Sequence, residues 1–302
     1  MTATAPDPWG EIVGQDDAVA TLRRAAAAPG TSAMTHAWLI TGPPGSGRSN
    51  LAFAFATALL SPPGTIDERV AIQVAARTHP DLVVLATEGV TIRIDAARDA
   101  VQRASLSPAS SRHRVVVVED ADRMVERTSN VLLKALEEPP ERTVWILCAP
   151  SEADLLPTIR SRARSLRLTV PSVADVAALL VRRDGVDHEL AERAAREAQS
   201  HVGMAHRLAT DAEARRRRAH TLELALGIRS VSDAMTAAAA YYDLANEDGK
   251  AMNEERDARE RAAALRSLGV EPGGTVPPKL RGALRDLEDE QKRRSRRGLR
   301  DG

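Results

Sequence analysis

The stretch LITGPPGSGRSN, residues 39–50, has the glycine spacing of a loop that holds phosphate groups. A short apolar run, HAWLIT at 36–41, leads into it, and NLAFAFATALL at 50–60 continues with helical periodicity as far as Pro62 and Pro63. The backbone N–H groups of such a loop converge on phosphate oxygens at the positive end of the following helix. The order strand, loop, helix therefore predicts a phosphate-binding loop in an α/β fold.

This loop supplies most of the candidate nucleotide-binding residues. They are Gly42, Pro43, Pro44, Gly45, Ser46, Gly47, Arg48 and Ser49. The glycines permit the backbone conformations that the loop needs, and Ser49 stands where a Mg²⁺ ligand is expected. Arg48 stands where the pattern asks for lysine. Lysine is a compact charge that reaches the β- and γ-phosphates, whereas arginine is a longer planar fork, so we expect hydrolysis to suffer more than binding.

Composition favours a helix-rich α/β protein of two or three domains. The chain has 302 residues, of which 43% are hydrophobic and only 2% aromatic, and its formal net charge is zero. A neutral chain has no overall basic field, so any DNA contact would come from a local patch or from assembly with other subunits. The single cysteine, Cys148, excludes an intramolecular disulfide and a multi-cysteine zinc site, and we expect it to be a buried thiol in a reducing cytoplasm.

The start of the chain and its hydropathy predict a soluble protein. The first residues, MTATAPDPWGE, lack the basic start and apolar run of a secretory signal. The chain also lacks an apolar stretch of the roughly 18 to 20 residues that a membrane span needs.

Further strands and helices alternate after the loop. Apolar strands are predicted at 79–86, 114–122 and 143–150, with helices at 93–106 and 129–140, whereas 61–78 is less regular. The four consecutive valines of RVVVVEDAD are typical of a strand buried on both faces of a parallel sheet. This alternation predicts a doubly wound parallel sheet.

The strand signal almost vanishes after LRLTVPS, 166–172, and this change defines the domain boundaries. We expect an α/β P-loop domain at 1–170, a small helical domain at 171–210 and longer charged helices at 211–302. The last stretch, 286–302, is too polar all round to form a stable helix alone, and a solvated tail is favoured there over an arginine patch for nucleic acid.

Glu119 and Asp120 follow the valine run and form a candidate second acidic motif of the nucleotide site. In such motifs a carboxylate at the end of a buried strand holds the Mg²⁺ shell and the next one polarises water. The usual order is aspartate and then glutamate. The reversed order moves each carboxylate by about 1.5 Å, enough to misplace an attacking water. The alternative is that both residues only cap the next helix.

Four further segments carry a resemblance to a known family: EIVGQDDAV at 11–19, THPDL at 78–82, LLKALEEPP at 132–140 and TIRSRAR at 158–164. With the glycine loop they resemble the bacterial clamp-loader subunits of the AAA+ class over roughly residues 8–210. Within that class the δ′ subunits of DNA polymerase III, in their actinobacterial form, are the most similar. The resemblance implies an AAA+ P-loop domain, a helical lid and a helical collar.

The same resemblance implies a catalytic role for Arg162. In the family, the arginine of a Ser-Arg-Cys box projects into the ATP site of the neighbouring subunit and stabilises charge on the γ-phosphate. Here the box reads Ser161-Arg162-Ala163, so the arginine is kept. The alternative is an exposed arginine at a helix end. The partners implied are the γ/τ and δ subunits, the sliding clamp and primed DNA reached through the assembled complex, with no membrane.

Departures from the family pattern point to a weak or silent ATPase. Gly203 stands where active subunits carry a sensor arginine, although His206 and Arg207 follow closely. The family's four-cysteine zinc module has no counterpart in 61–78, so no zinc is expected, and 211–302 looks short for the collar. Mg-ATP is thus expected, if at all, in a degenerate site. Two alternatives stay open: an active motor ATPase of the γ/τ type, and a nucleotide-dependent adaptor outside replication.

Overall fold

The computed structural model describes residues 7–28, 30–87 and 89–267. The predictions for the break at 270–278 and for the charged tail at 286–302 fall outside these residues. Within the described ranges, no helix combines the length and the apolar character needed to cross a membrane.

A parallel sheet forms the centre of the fold. In the described part of the chain it has five strands in the order β2-β3-β4-β1-β5, and every neighbouring pair is parallel. The strands are β1 Ala37–Thr41, β2 Leu82–Leu85, β3 Arg114–Val118, β4 Thr143–Ala149 and β5 Arg164–Arg167. β1, β3 and β4 are buried along their whole length, whereas β5 is a largely exposed edge strand.

Helices cover both faces of the sheet, which confirms the predicted doubly wound architecture. They are α1 Asp16–Ala27, α2 Arg48–Leu60, α3 Glu68–Ala75, α4 Ile94–Ala104, α5 Glu126–Glu137 and the short α6 Pro157–Arg160. The valine run alternates between two cores: Val115 and Val117 pack with α1–α3, and Val116 and Val118 pack with α4–α6. An unbroken apolar run is therefore what a strand between two helical layers requires.

Helix α3 lies in the segment that sequence patterning left irregular. Asp67 caps it, since its Oδ1 accepts a hydrogen bond of 2.9 Å from the Val70 backbone N–H. Val74 is its one fully buried residue, so the apolar stripe is too short to give a periodic signal.

The helices that follow the sheet are α7 Val173–Asp184, α8 His188–Glu197, α9 Val202–Thr210, α10 Ala212–Gly227 and α11 Val231–Ser267. Helices α7 to α9 enclose a separate hydrophobic cluster, which Val13 also joins. The helical path is broken between α8 and α9, where Gln199 and Ser200 adopt left-handed φ values of 51° and 61°.

Candidate functional site

The glycine loop and the acidic pair both lie at the carboxyl ends of the strands. The loop follows the carboxyl end of β1, and its first residue, Gly42, donates its N–H to the Pro150 carbonyl at 3.2 Å. Glu119 and Asp120 follow the carboxyl end of β3. Because the strands are parallel, the structure brings these two predicted motifs to the same edge, where ligands of open α/β sheets bind.

The tip of the loop is a tight turn that depends on glycine. The Ser46 N–H donates to the Pro43 carbonyl at 3.2 Å, and Pro44 is exposed between them. Gly45 and Gly47 have φ values of +79° and +90°, a region that side chains disfavour. The loop therefore keeps its backbone N–H groups at the start of α2, the geometry that binds phosphate.

A buried hydroxyl group faces the interior of the loop without a partner. Among the described residues, the Oγ of Ser46 has no hydrogen-bond partner although this residue is only 3% exposed. It lies 2.7 Å from the point that a Cβ on Gly42 would occupy. A buried polar atom left unpaired is costly, so a ligand oxygen at this position would satisfy it.

Gln15 holds the base of the loop. Its side-chain amide donates to the Thr169 carbonyl at 2.7 Å and, at 3.5 Å, to the Ser46 carbonyl, while its Oε1 accepts from the Thr169 N–H at 3.1 Å. Sequence reasoning missed this role, because the contacts join positions 31 and 154 residues apart in the chain.

The side chain of Arg48 turns back into its own loop. Its Nη1 donates to the Gly42 carbonyl, so the guanidinium is bound to the loop backbone. Ser49 follows at the first turn of α2, half-buried. The substitution of lysine by arginine thus changes where the charge sits in the loop as well as its shape.

The acidic pair is neutralised by two arginines of the same chain. The Nη2 of Arg77 lies 2.8 Å from the Oε1 of Glu119, and the Arg77 guanidinium stacks over the Phe53 ring with 5.1 Å to its centroid. Asp120 adopts a left-handed φ of 50° and lies 3.9 Å from the Nε of Arg123. Sequence reasoning missed Arg77, which belongs to no motif.

The residues present therefore fit the phosphates of a nucleotide better than they fit its metal ion. The loop backbone and the Ser46 hydroxyl suit phosphate oxygens, whereas Glu119, the expected support of the Mg²⁺ shell, already pairs with Arg77. Within the described ranges, no three His, Cys, Asp or Glu side chains are grouped so that they could hold a metal ion.

The thiol of Cys148 lies behind the loop. It is buried, as predicted, and its Sγ contacts the Arg48 carbonyl at 3.9 Å. Burial raises the pKa of this thiol far above its usual value, and the nearby negative charge of Glu119 raises it further. Cys148 is thus an inert core thiol.

Helix α9 touches the loop through its capping residue, His201. Its Nδ1 accepts the Met204 N–H at 3.2 Å, and its ring packs so closely on Gly45 that a Cβ there would lie 2.4 Å from the His201 Cγ. Gly203 lies beside this ring, 3.5 Å from the His201 Cε1 to its would-be Cβ. A side chain at position 203 would therefore contact the His201 ring.

The two basic residues after Gly203 pair with other parts of the chain. His206 Nδ1 lies 2.8 Å from the Asp184 carboxylate, and Arg207, only 6% exposed, makes two bonds of 2.7 and 3.1 Å to Asp248 on α11. Neither contact serves the glycine loop.

The arginine run at 215–218 is engaged in intramolecular contacts. Arg215 donates to the Leu208 and Ala209 carbonyls, and the other members pair with carboxylates of Glu213, Asp248, Asp211 and Glu197. These contacts fasten α10 to the neighbouring helices.

Arg162 lies near the amino ends of the strands, away from the glycine loop. It precedes β5, and Arg164 of that strand is in register with Trp38, near the start of β1. Arg162 is therefore separated from Gly42 by about six strand residues, roughly 20 Å along the strand direction. Its Nη2 lies 2.5 Å from the Glu137 carboxylate, and its Nη1 donates to the Thr158 carbonyl at 2.6 Å.

Comparison with known sequences identifies similar proteins over about half of the chain. The family model described as "DNA polymerase III, delta subunit" matches residues 14–172. The gamma/tau subunit of DNA polymerase III from Mycobacterium tuberculosis is 32% identical over 186 residues, which cover 59% of this chain and 31% of that protein. The delta' subunit from Pseudomonas aeruginosa is 38% identical over 152 residues, which cover 48% of this chain and 46% of that protein. The matched segment thus spans less than half of these relatives.

Among solved structures, the RuvB Holliday junction branch migration motor of Thermotoga maritima is similar in fold. It aligns with a TM-score of 0.50 and 18% identity, covering 78% of this chain and 72% of that one. This similarity confirms the predicted α/β AAA+ fold, and at this identity it carries the fold alone.

Proposed function

Because this chain belongs to the DNA polymerase III delta subunit family, we propose that it is a δ′-type clamp-loader subunit with little or no ATPase activity of its own. It assembles with γ/τ and δ subunits and supplies Arg162 to the ATP site of a neighbour. In this way it helps to couple ATP binding to the loading of a sliding clamp on primed DNA. The division into a P-loop domain at 1–170, a lid at 171–210 and a collar from 211 is part of this proposal.

One observation carries the proposal: the glycine loop lies at the carboxyl ends of the parallel strands, and Arg162 lies near their amino ends. An arginine some 20 Å from its own loop cannot reach a phosphate held there. The same separation suits an arginine that acts on the loop of an adjacent subunit, where a positive charge at the γ-phosphate stabilises the transition state.

The contact with Glu137 supports a positioned arginine rather than a loose one. Glu137 belongs to the LEEPP motif and ends α5, and its carboxylate, together with the Thr158 carbonyl, fixes the direction of the guanidinium. Arg162 remains 32% exposed on its side chain, so it is accessible to a partner. A charged group held in place before the partner arrives loses less entropy when it binds.

The chain's own loop supports weak catalysis. Arg48 is bonded to the Gly42 carbonyl, Glu119 to Arg77, and position 203 carries no side chain. Phosphoryl transfer depends on charges placed around the γ-phosphate and on an oriented water. Each of these three features removes or redirects one such group.

The test is ATP hydrolysis by γ/τ subunits reconstituted with this chain, the δ subunit, clamp and primed DNA. Arg162→Ala is expected to lower turnover at least tenfold, since fingers in related NTPases contribute about 10³–10⁵. Arg167→Ala, on the exposed edge strand β5, is the matched control and is expected to leave turnover unchanged. Gel filtration checks that both variants assemble. Full turnover with assembled Arg162→Ala complex would refute the finger.

A second candidate is an active motor subunit of the γ/τ type. The specific observation in its favour is that the gamma/tau relative aligns over a longer part of the chain than the delta' relative. Hydrolysis by the purified chain alone, abolished by Ser49→Ala, would select this candidate. A silent chain that stimulates its neighbours selects the first.

A further inference from the structure

Arg77 occupies a position that no sequence motif assigns. It follows α3 with a left-handed φ of 57°, and its guanidinium reaches the carboxylate of Glu119 at the end of β3. The same guanidinium rests on the Phe53 ring of α2. Two separate elements therefore direct this side chain toward the edge of the sheet that carries the glycine loop.

The stacking on Phe53 determines how far the Arg77 guanidinium extends into the site. Phe53 lies four residues after Ser49 on α2, so the two side chains share one face of the helix about one turn, or roughly 5 Å, apart. Ser49 and Glu119 are the two side chains expected to surround a magnesium ion. Arg77 thus places a positive charge beside Glu119 and stacks on the residue one helical turn from Ser49.

We infer that Arg77 replaces the divalent cation, so that the glycine loop binds a nucleoside polyphosphate without Mg²⁺. One N–H edge of a guanidinium is enough to hold Glu119, and the planar fork has further donors that suit phosphate oxygens. The Arg77 side chain is 43% exposed, so those donors are open to a ligand. Independently, the buried Ser46 hydroxyl in the loop has no hydrogen-bond partner in the described part of the chain, and a ligand oxygen would supply one.

Electrostatics makes this site favour a phosphate chain over a magnesium ion. A carboxylate that already has an arginine at 2.8 Å attracts a magnesium ion weakly, because the two positive charges repel each other. An anionic phosphate chain meets the opposite situation, with Arg77 and the start of α2 both favouring negative charge.

The test is a titration of the purified chain with ATP carrying a fluorescent methylanthraniloyl group, in EDTA and again in excess Mg²⁺. For the native chain, the two dissociation constants are expected to agree within about twofold. Arg77→Gln is expected to weaken binding in EDTA about tenfold or more, the usual loss for a hydrogen bond to a charged group. Added Mg²⁺ should restore most of this loss.

Two further variants separate charge from folding. Arg77→Lys keeps the positive charge and is expected to bind without Mg²⁺ within a fewfold of the native chain. Arg69→Gln removes an exposed arginine on α3, the helix that Arg77 follows, and is expected to change nothing. Thermal melting of each variant checks that the fold is kept.

A metal titration without nucleotide provides an independent readout. Electron paramagnetic resonance of added Mn²⁺ is expected to show no bound ion on the native chain and a bound ion on Arg77→Gln, where Glu119 is released. The inference is overturned if the native chain needs Mg²⁺ to bind ATP, if it binds no ATP, or if Arg77→Gln behaves like Arg69→Gln.

This inference does not rest on the proposed function. It concerns the isolated chain and its own loop, whereas the role of Arg162 is read from the turnover of neighbouring subunits. Either one can fail while the other holds.

Discussion

The buried carboxylate of Asp81 allows a quantitative test of what stabilises the fold. Its oxygens accept the backbone N–H groups of Ala109, Ser110 and Ser111 at 2.6 to 2.8 Å, and the Ser110 hydroxyl at 3.0 Å. The Nη2 of Arg114 lies 3.2 Å away, with that side chain only 6% exposed and the carboxylate fully buried. One carboxylate thus fastens the 109–111 loop to the start of β2 and β3.

Asp81→Asn keeps the shape of this residue and removes its charge. The amide nitrogen would face N–H donors, and the buried Arg114 guanidinium would lose its carboxylate partner while keeping its bonds to the Leu106 and Ser107 carbonyls. Removing one member of a buried pair costs about 3–5 kcal/mol. With a urea dependence of about 2 kcal/mol per molar, the unfolding midpoint is expected to fall by roughly 1.5–2.5 M.

The assay is urea unfolding followed by circular dichroism, with Asp99→Asn as the matched control. Asp99 is exposed and lies 3.9 Å from Arg103 on the same helix, so its loss should cost about 0.5 kcal/mol or less. A loss below about 1 kcal/mol for Asp81→Asn would refute the reasoning, because it would mean that the five contacts contribute no more than a surface pair.

The dependence on pH has a definite sign. Burial by itself would raise the pKa of the Asp81 carboxyl, but the three backbone N–H bonds and the Ser110 hydroxyl together outweigh it and hold the pKa below its ordinary value of 3.8. A depressed folded pKa gives stability that is complete above the unfolded pKa and lost as pH falls through the folded one. The difference in the free energy of unfolding between the native chain and Asp81→Asn should therefore be constant at neutral pH and shrink below pH 3.8.

Two further predictions concern the loop and its surroundings. Gly45→Ala puts a methyl group 2.4 Å from the His201 Cγ, so the lid must move, and hydrogen exchange at residues 199–204 should rise. Gly47→Ala, with a similar φ but open space, should leave that exchange unchanged, and equal effects would refute the contact. Cys148, buried and with a raised pKa, should react with iodoacetamide only at the rate of global unfolding, as mass spectrometry can measure. Reaction of the native chain at the rate of a free thiol would contradict this.

Sequence reasoning was successful where a single element carries the signal. The strand, loop and helix around Gly45 could be predicted because apolar periodicity and glycine spacing are local properties. The valine run at 115–118 predicted a strand covered on both faces, and the two cores on either side confirm it.

The partners of charged side chains could not be predicted, because tertiary packing chooses them. Nothing local indicates that Arg77 reaches Glu119 across 42 positions of the chain, or that Arg207 meets Asp248 on α11. The pattern also identified Arg48 without revealing that its guanidinium turns onto the Gly42 carbonyl. These choices depend on which charges the folded backbone brings within about 4 Å of each other.

The strand order has a consequence for how the chain folds during synthesis. Strand β1 emerges early, yet both of its neighbours, β4 at 143–149 and β5 at 164–167, are translated more than a hundred residues later. At about 5–20 residues per second, Trp38 and its neighbours wait roughly 5–25 s for the strands that will cover them. The apolar edge of β1 is the segment that a ribosome-associated chaperone would have to shield, and slowing translation between 41 and 143 should raise aggregation of nascent chains.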